Sequence, residues 1–161
     1  MDFRLLLFRS SVTTNLPFDI LISYLKKKTS QGVRFKLGFI DKEEADIYYV
    51  NDYGYGGYYE KLGLDRIPSM QVITNNKLVD RDKVKIKFRT ATHIFVLWGL
   101  LIALLLVFGL ILQPDFGVIP AFVGSILIYL IGLNDFTKQL SYFKYDLDLM
   151  EKDYESRLNK D

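Results

Sequence analysis

Two long uncharged runs in the last third of the chain restrict its fold more than any other feature. From Ile94 to Leu112 nineteen residues pass without a charge, and from Phe116 to Leu133 eighteen more. At about 1.5 Å per residue each run, as a helix, extends roughly 27 to 29 Å, close to the ~30 Å apolar core of a bilayer. A helix buried in a soluble bundle keeps a polar stripe, whereas every angle around Ile94 to Leu112 carries Leu, Ile, Val, Phe, Ala, Gly or Trp. The sequence therefore predicts a transmembrane α-helical hairpin over residues 91–134, with spans at about 94–112 and 116–133.

Only Gln113-Pro114-Asp115 separates the runs, so the helices are expected to be antiparallel neighbours. That loop has no Lys or Arg. The approach to the first run holds Lys77, Arg81, Lys83, Lys85, Lys87 and Arg89, and Lys138 and Lys144 follow the second. The positive-inside rule then predicts a multi-pass protein of the cell inner membrane or plasma membrane, with both termini cytoplasmic. Small residues at spacing four, Gly99 and Ala103 on the first helix and Gly117, Ala121 and Ser125 on the second, form a candidate packing seam, either within the hairpin or between copies. Neither run contains a charged residue, which argues against a proton or ion path built from ionisable groups.

The first ninety residues read as a small cytoplasmic α+β domain of βαββββ order. Asp2 to Ser10 is apolar on nearly both faces, as in a central strand. Asn15 and Pro17 open a helix to about Lys28, with Phe18, Leu21, Ile22 and Leu25 on one side and Lys26, Lys27 and Lys28 in its last turn. Val33 to Ile40 and Ala45 to Asn51 form one strand pair around Asp41-Lys42-Glu43, and Ser69 to Thr74 pairs with Lys83 to Thr90. In the last strand Val84, Ile86 and Phe88 alternate with Lys83, Lys85, Lys87 and Arg89, giving one core face and one basic comb. Because this strand runs almost directly into the first apolar run, the comb is a candidate contact for anionic lipid head groups; the alternative is an ordinary solvated strand face.

Asp52-Tyr53-Gly54-Tyr55-Gly56-Gly57-Tyr58-Tyr59 fits neither a phosphate loop nor a dinucleotide fingerprint. Tyr53, Tyr55, Tyr58 and Tyr59 make it a candidate partner-contact loop, or else a long hairpin turn. The single histidine, His93, stands at the water end of the first run without carboxylate partners nearby, and Asp41, Glu43, Glu44 and Asp46 lack calcium-loop spacing. Absence of cysteine excludes a disulfide framework, a thiolate zinc site and a cysteine nucleophile. A net charge of +2 is too small to suggest nucleic acid. The apolar patch Leu5 to Phe8 is too short for a signal peptide.

Residues 135–161 carry Phe136, Leu140, Phe143, Leu147, Met150 and Tyr154 at steps of four and three among charges, the pattern of an amphipathic cytoplasmic helix. Its default partner is the chain's own N-terminal domain, with pairing between copies as the alternative. The acidic residues Asp146, Asp148, Glu151, Asp153 and Glu155 argue against a bed of lipid.

The layout, with Val84-Lys85-Ile86-Lys87-Phe88-Arg89 followed by His93-Ile94-Phe95 opening the hairpin, resembles a group of small uncharacterised bacterial two-span membrane proteins with an N-terminal α+β cytoplasmic domain. That resemblance implies topology and a bacterial source, and no functional residues. With no catalytic or metal-binding signature and no cofactor implied, the expected function is a noncatalytic, membrane-anchored interaction or regulatory module at the cytoplasmic face. Its partners would be the lipid bilayer and other membrane proteins or a second copy. The alternative is an accessory subunit of a larger transport or envelope complex.

Overall fold

In the computed structural model of the 161-residue chain, the described residues are 8–30, 35–49, 70–80, 83–90, 92–112 and 118–158. Along the chain they form β1 (Arg9–Thr14), α1 (Phe18–Ser30), β2 (Phe35–Ile40), β3 (Glu44–Tyr49) and β4 (Met70–Asn75). A 3₁₀ turn (Asn76–Leu78), the two-residue β5 (Val79–Asp80), β6 (Lys83–Thr90), α2 (Thr92–Leu112) and α3 (Val118–Leu158) follow. The class is α+β. Five strands lie in the antiparallel order β1-β6-β4-β3-β2, with β5 added along β6 beyond the end of β4.

Period-two patterning decides which side of this sheet is wet. Val84, Ile86 and Phe88 of β6, Met70 and Val72 of β4, and Ala45, Ile47 and Tyr49 of β3 are buried. They meet Leu21, Ile22 and Leu25 of α1 and Phe136, Leu140, Phe143, Leu147 and Met150 of α3 in one cluster. The amphipathic segment thus packs on the chain's own sheet. The Phe143 ring stands edge-on to Phe88 at 5.0 Å and to Tyr49 at 5.6 Å between centroids.

Helix α1 begins one residue after Pro17, whose carbonyl accepts from the Leu21 amide at 3.0 Å. Pro lacks the N–H that a first turn would leave unpaired. Just before it, Glu151 of α3 accepts from the Thr14 hydroxyl at 2.6 Å and the Asn15 amide at 3.0 Å. The far end of α3 is therefore tied to the β1–α1 connection by charge-assisted hydrogen bonds.

The direction of α3 follows from its contacts. Phe136 lies beside Phe8, whose carbonyl receives the amide of Thr90, while Glu151 reaches Thr14, the register partner of Val84. Fifteen helical residues and six strand residues both cover roughly 20 Å. So β6 lies along α3 and runs toward the hairpin end.

The sequence-based expectation of a transmembrane hairpin requires correction. Among the described residues, no helix is long and apolar enough to cross a membrane. The second run is not a separate span either, because it is the first part of α3, whose continuous helix turns polar at Asn134 and Asp135. The two spans, the multi-pass inner or plasma membrane placement and the cytoplasmic termini inferred from them are overturned by this finding.

What α2 and the first part of α3 do form is a packed pair. A methyl group added at Gly132 would fall inside the Trp98 ring, and one at Gly124 would come within 2.6 Å of Leu105. Close approach therefore occurs at Gly124 and Gly132. In the candidate seam, a methyl group at Gly99 would meet open space, Ala103 is exposed and Ser125 is half-buried. Gly117 and the Ala121 side chain lie outside the described residues.

Candidate functional site

The sheet face opposite α1 and α3 carries the basic comb. Lys83, Lys87 and Arg89 are exposed and Lys85 is half-buried, because each alternates with a core residue of β6. The antiparallel register extends this row sideways. Arg9 of β1 lies opposite Arg89, Ser11 opposite Lys87 and Thr13 opposite Lys85. On the other flank Gln71 lies opposite Arg89 and Ile73 opposite Lys87. A groove of about 490 Å³ lies over this junction, lined by Arg9, Ser11, Ile73, Lys85, Lys87 and Arg89 among others.

One member of the row is held in position. The Arg89 Nε donates to Gln71 Oε1 at 2.5 Å, and Gln71 Nε2 donates to Asp46 Oδ1 at 2.6 Å. Gln71 is only 6% exposed, so this relay orients the guanidinium from a nearly buried anchor. Sequence reading singled out Arg89 but not Arg9 or Gln71. Arg9 lies near the end of Asp2 to Ser10, a stretch read as an apolar central strand, of which residues 2–7 lie outside the described residues; among the described residues β1 is the last strand of the sheet on that side. Nothing local marks Gln71, whose role depends on β3 and β6 flanking β4.

The groove ends next to an aromatic cluster. Phe8, adjacent to Arg9, has a positive φ of 51°, a conformation disfavoured for a residue with a bulky side chain. Its ring is 5% exposed and meets Trp98 at 5.1 Å, Tyr129 at 5.3 Å and Phe95 at 6.0 Å. The strained backbone is retained where these rings and the Thr90 amide surround it. This cluster is the root of the hairpin.

Above the root, large apolar side chains are exposed on all sides. On α2 they include Val96, Leu100, Leu104, Phe108 and Ile111, the last 72% exposed; on α3 they include Phe122, Leu127 and Ile131. Successive positions such as Leu104, Leu105, Leu106, Val107 and Phe108 are all exposed, which no single covering face explains.

A second polar cluster lies at the opposite end of α3. The Tyr24 hydroxyl donates to Asp153, which also accepts from Arg157 at 2.8 Å. Burial, then the hydrogen bond to Asp153, raises the Tyr24 pKa, and the bonds from Tyr24 and Arg157 lower that of Asp153. These are the signs of a structural pair that closes α1 against α3.

Tyr53, Tyr55, Tyr58 and Tyr59 lie outside the described residues, as does the His93 side chain. Among the described residues, no three His, Cys, Asp or Glu side chains are grouped to hold a metal. No family model, curated protein or solved structure matches the chain.

Proposed function

We propose that the protein is a noncatalytic, lipid-anchored interaction module: a small α+β domain held at a lipid surface by the immersed hairpin of α2 and the first part of α3. The observation that carries this reading is the exposure of apolar side chains all around the hairpin. Monomeric soluble proteins rarely expose contiguous apolar patches beyond a few hundred Å². A protein partner covers one face of a helix pair, whereas a surrounding apolar medium covers every face at once. Immersion requires that all-round apolar surface and not a complete crossing. The aromatic root formed by Phe8, Phe95, Trp98 and Tyr129 supports the same placement, since Trp and Tyr rings favour the boundary between acyl chains and water.

Flotation of the full chain with neutral phosphatidylcholine vesicles tests this reading. The protein is expected to float with the vesicles, to stay with them in 1 M salt (roughly a 3 Å screening length), and to aggregate when detergent and lipid are both withdrawn. A chain that remains a monodisperse monomer, or a discrete oligomer, in lipid-free buffer and does not float would overturn it.

A further inference from the structure

The basic comb as a whole is poorly placed to lie on a lipid surface. Because β6 lies along α3 and ends at the hairpin root, its cations climb away from the immersed end, Lys83 standing roughly 20 Å from Arg89. The polar layer of one leaflet is only about 5 to 8 Å deep. Of the row, the Arg89 end is the part that meets it.

At that end the register creates an electrostatic conflict. Arg9 and Arg89 face each other across the β1–β6 ladder on the open side of the sheet, and like charges directly opposite destabilise a strand pair. Lys87 adds a third cation one step along, with Ser11 beside it across the ladder. A groove opens over the same residues. The Gln71–Asp46 relay engages Arg89 at Nε and so sets the plane of its guanidinium. Two guanidinium groups, an ammonium and a hydroxyl around a concavity suit a tetrahedral oxyanion, since guanidinium forks bind phosphate bidentately.

We propose that Arg9, Lys87, Arg89 and Ser11 form a phosphate-binding groove that takes the head group of an anionic lipid. The inference rests on immersion of the hairpin, which sets Phe8 at the lipid boundary and therefore Arg9 at head-group depth. The bound phosphate relieves the Arg9–Arg89 repulsion, so the domain is seated in one orientation instead of pivoting about the hairpin root. Gln71 acts as a positioning residue.

The test compares binding of the full chain to neutral phosphatidylcholine vesicles and to vesicles containing one third phosphatidylglycerol, at fixed ionic strength. The intact chain is expected to prefer the anionic vesicles by about 10-fold or more, and the Arg9→Gln/Arg89→Gln variant to lose most of that preference while binding neutral vesicles as before. Lys83→Gln, at the far end of the comb, is expected to keep the preference, and circular dichroism verifies that each variant is folded. Equal binding of the intact chain to both vesicle types would overturn the groove while leaving the anchor intact. Loss of selectivity in Lys83→Gln equal to that in the arginine variant would also overturn it, by reducing it to net charge. Displacement of the intact chain's anionic preference by millimolar inorganic phosphate, but not by chloride of equal ionic strength, is expected. Phosphate binding measured without any vesicle preference would assign the groove to a free phosphate and overturn the lipid assignment. Failure to bind neutral vesicles would overturn the anchor instead.

Discussion

The two halves of α3 share one helical backbone and yet obey different rules. From Phe122 to Ile131 the whole side not packed on α2 is exposed and apolar, with Phe122, Val123, Ile126, Leu127, Leu130 and Ile131, while beyond Asp135 the buried positions Phe136, Gln139, Leu140, Phe143, Asp146, Leu147 and Met150 keep to a single stripe. Helix propensity cannot explain the contrast, because both halves are helical. The surroundings do: the second half has the sheet on one side and water on the other, and the first half shows no wet side. A helix adjusts its pattern to its neighbours turn by turn.

The sharpest way to break this comparison is to cut the stripe. Phe143→Ala removes the ring that meets Phe88 and Tyr49, and a loss of about 3 to 5 kcal/mol in the stability of the sheet domain is expected from urea denaturation. Vesicle binding should change far less than folding.

The converse substitution is Leu104→Asp. Leu104 is 65% exposed on α2, so domain stability should move by less than about 0.5 kcal/mol. Partition into neutral vesicles should weaken by about 3 kcal/mol, roughly 100-fold. Equal damage to both measurements would mean that the hairpin packs on protein and not on lipid.

A smaller effect is expected where the halves of the hairpin touch. Gly132→Leu overpacks the Trp98 site and should cost about 1 to 3 kcal/mol, with a change in the emission of the single tryptophan. Gly99→Leu meets open space and should leave that emission unchanged.

The smallest effect is titratable. Asp153 has a lowered pKa in the folded chain, so its contribution is present above the ordinary carboxylate pKa of about 4 and is lost as pH falls through the folded value. Tyr24 has a raised pKa, so its contribution is present below about 10 and is lost as pH rises through the folded value. Tyr24→Phe should flatten both arms of the stability profile measured by thermal melting, while the core and vesicle binding are retained.

Much of the sheet was legible because period two is a strong local signal. The alternation Val84, Ile86, Phe88 against Lys83, Lys85, Lys87, Arg89 locates β6 and its wet face, and β2, β3 and β4 fall within a few residues of their expected positions. The functional groove was only half legible. Arg89 is visible as one tooth of the comb, but Arg9 becomes its neighbour through a pairing between residues eighty apart. No local pattern records such a pairing.

The remaining division is physical. The sequence by itself determined where apolar surface is concentrated, which strand face is basic and which stripe of the last helix seeks a core, because these depend on composition and period alone. Tertiary structure decided that the second apolar run and the amphipathic tail are one helix and that Gly124 and Gly132, not Gly99, are the points of close approach. It also decided that the cations of β6 climb away from the hairpin, leaving Arg9 and Arg89 together at its root. These outcomes depend on the direction in which packed elements cross, which only long-range contacts set.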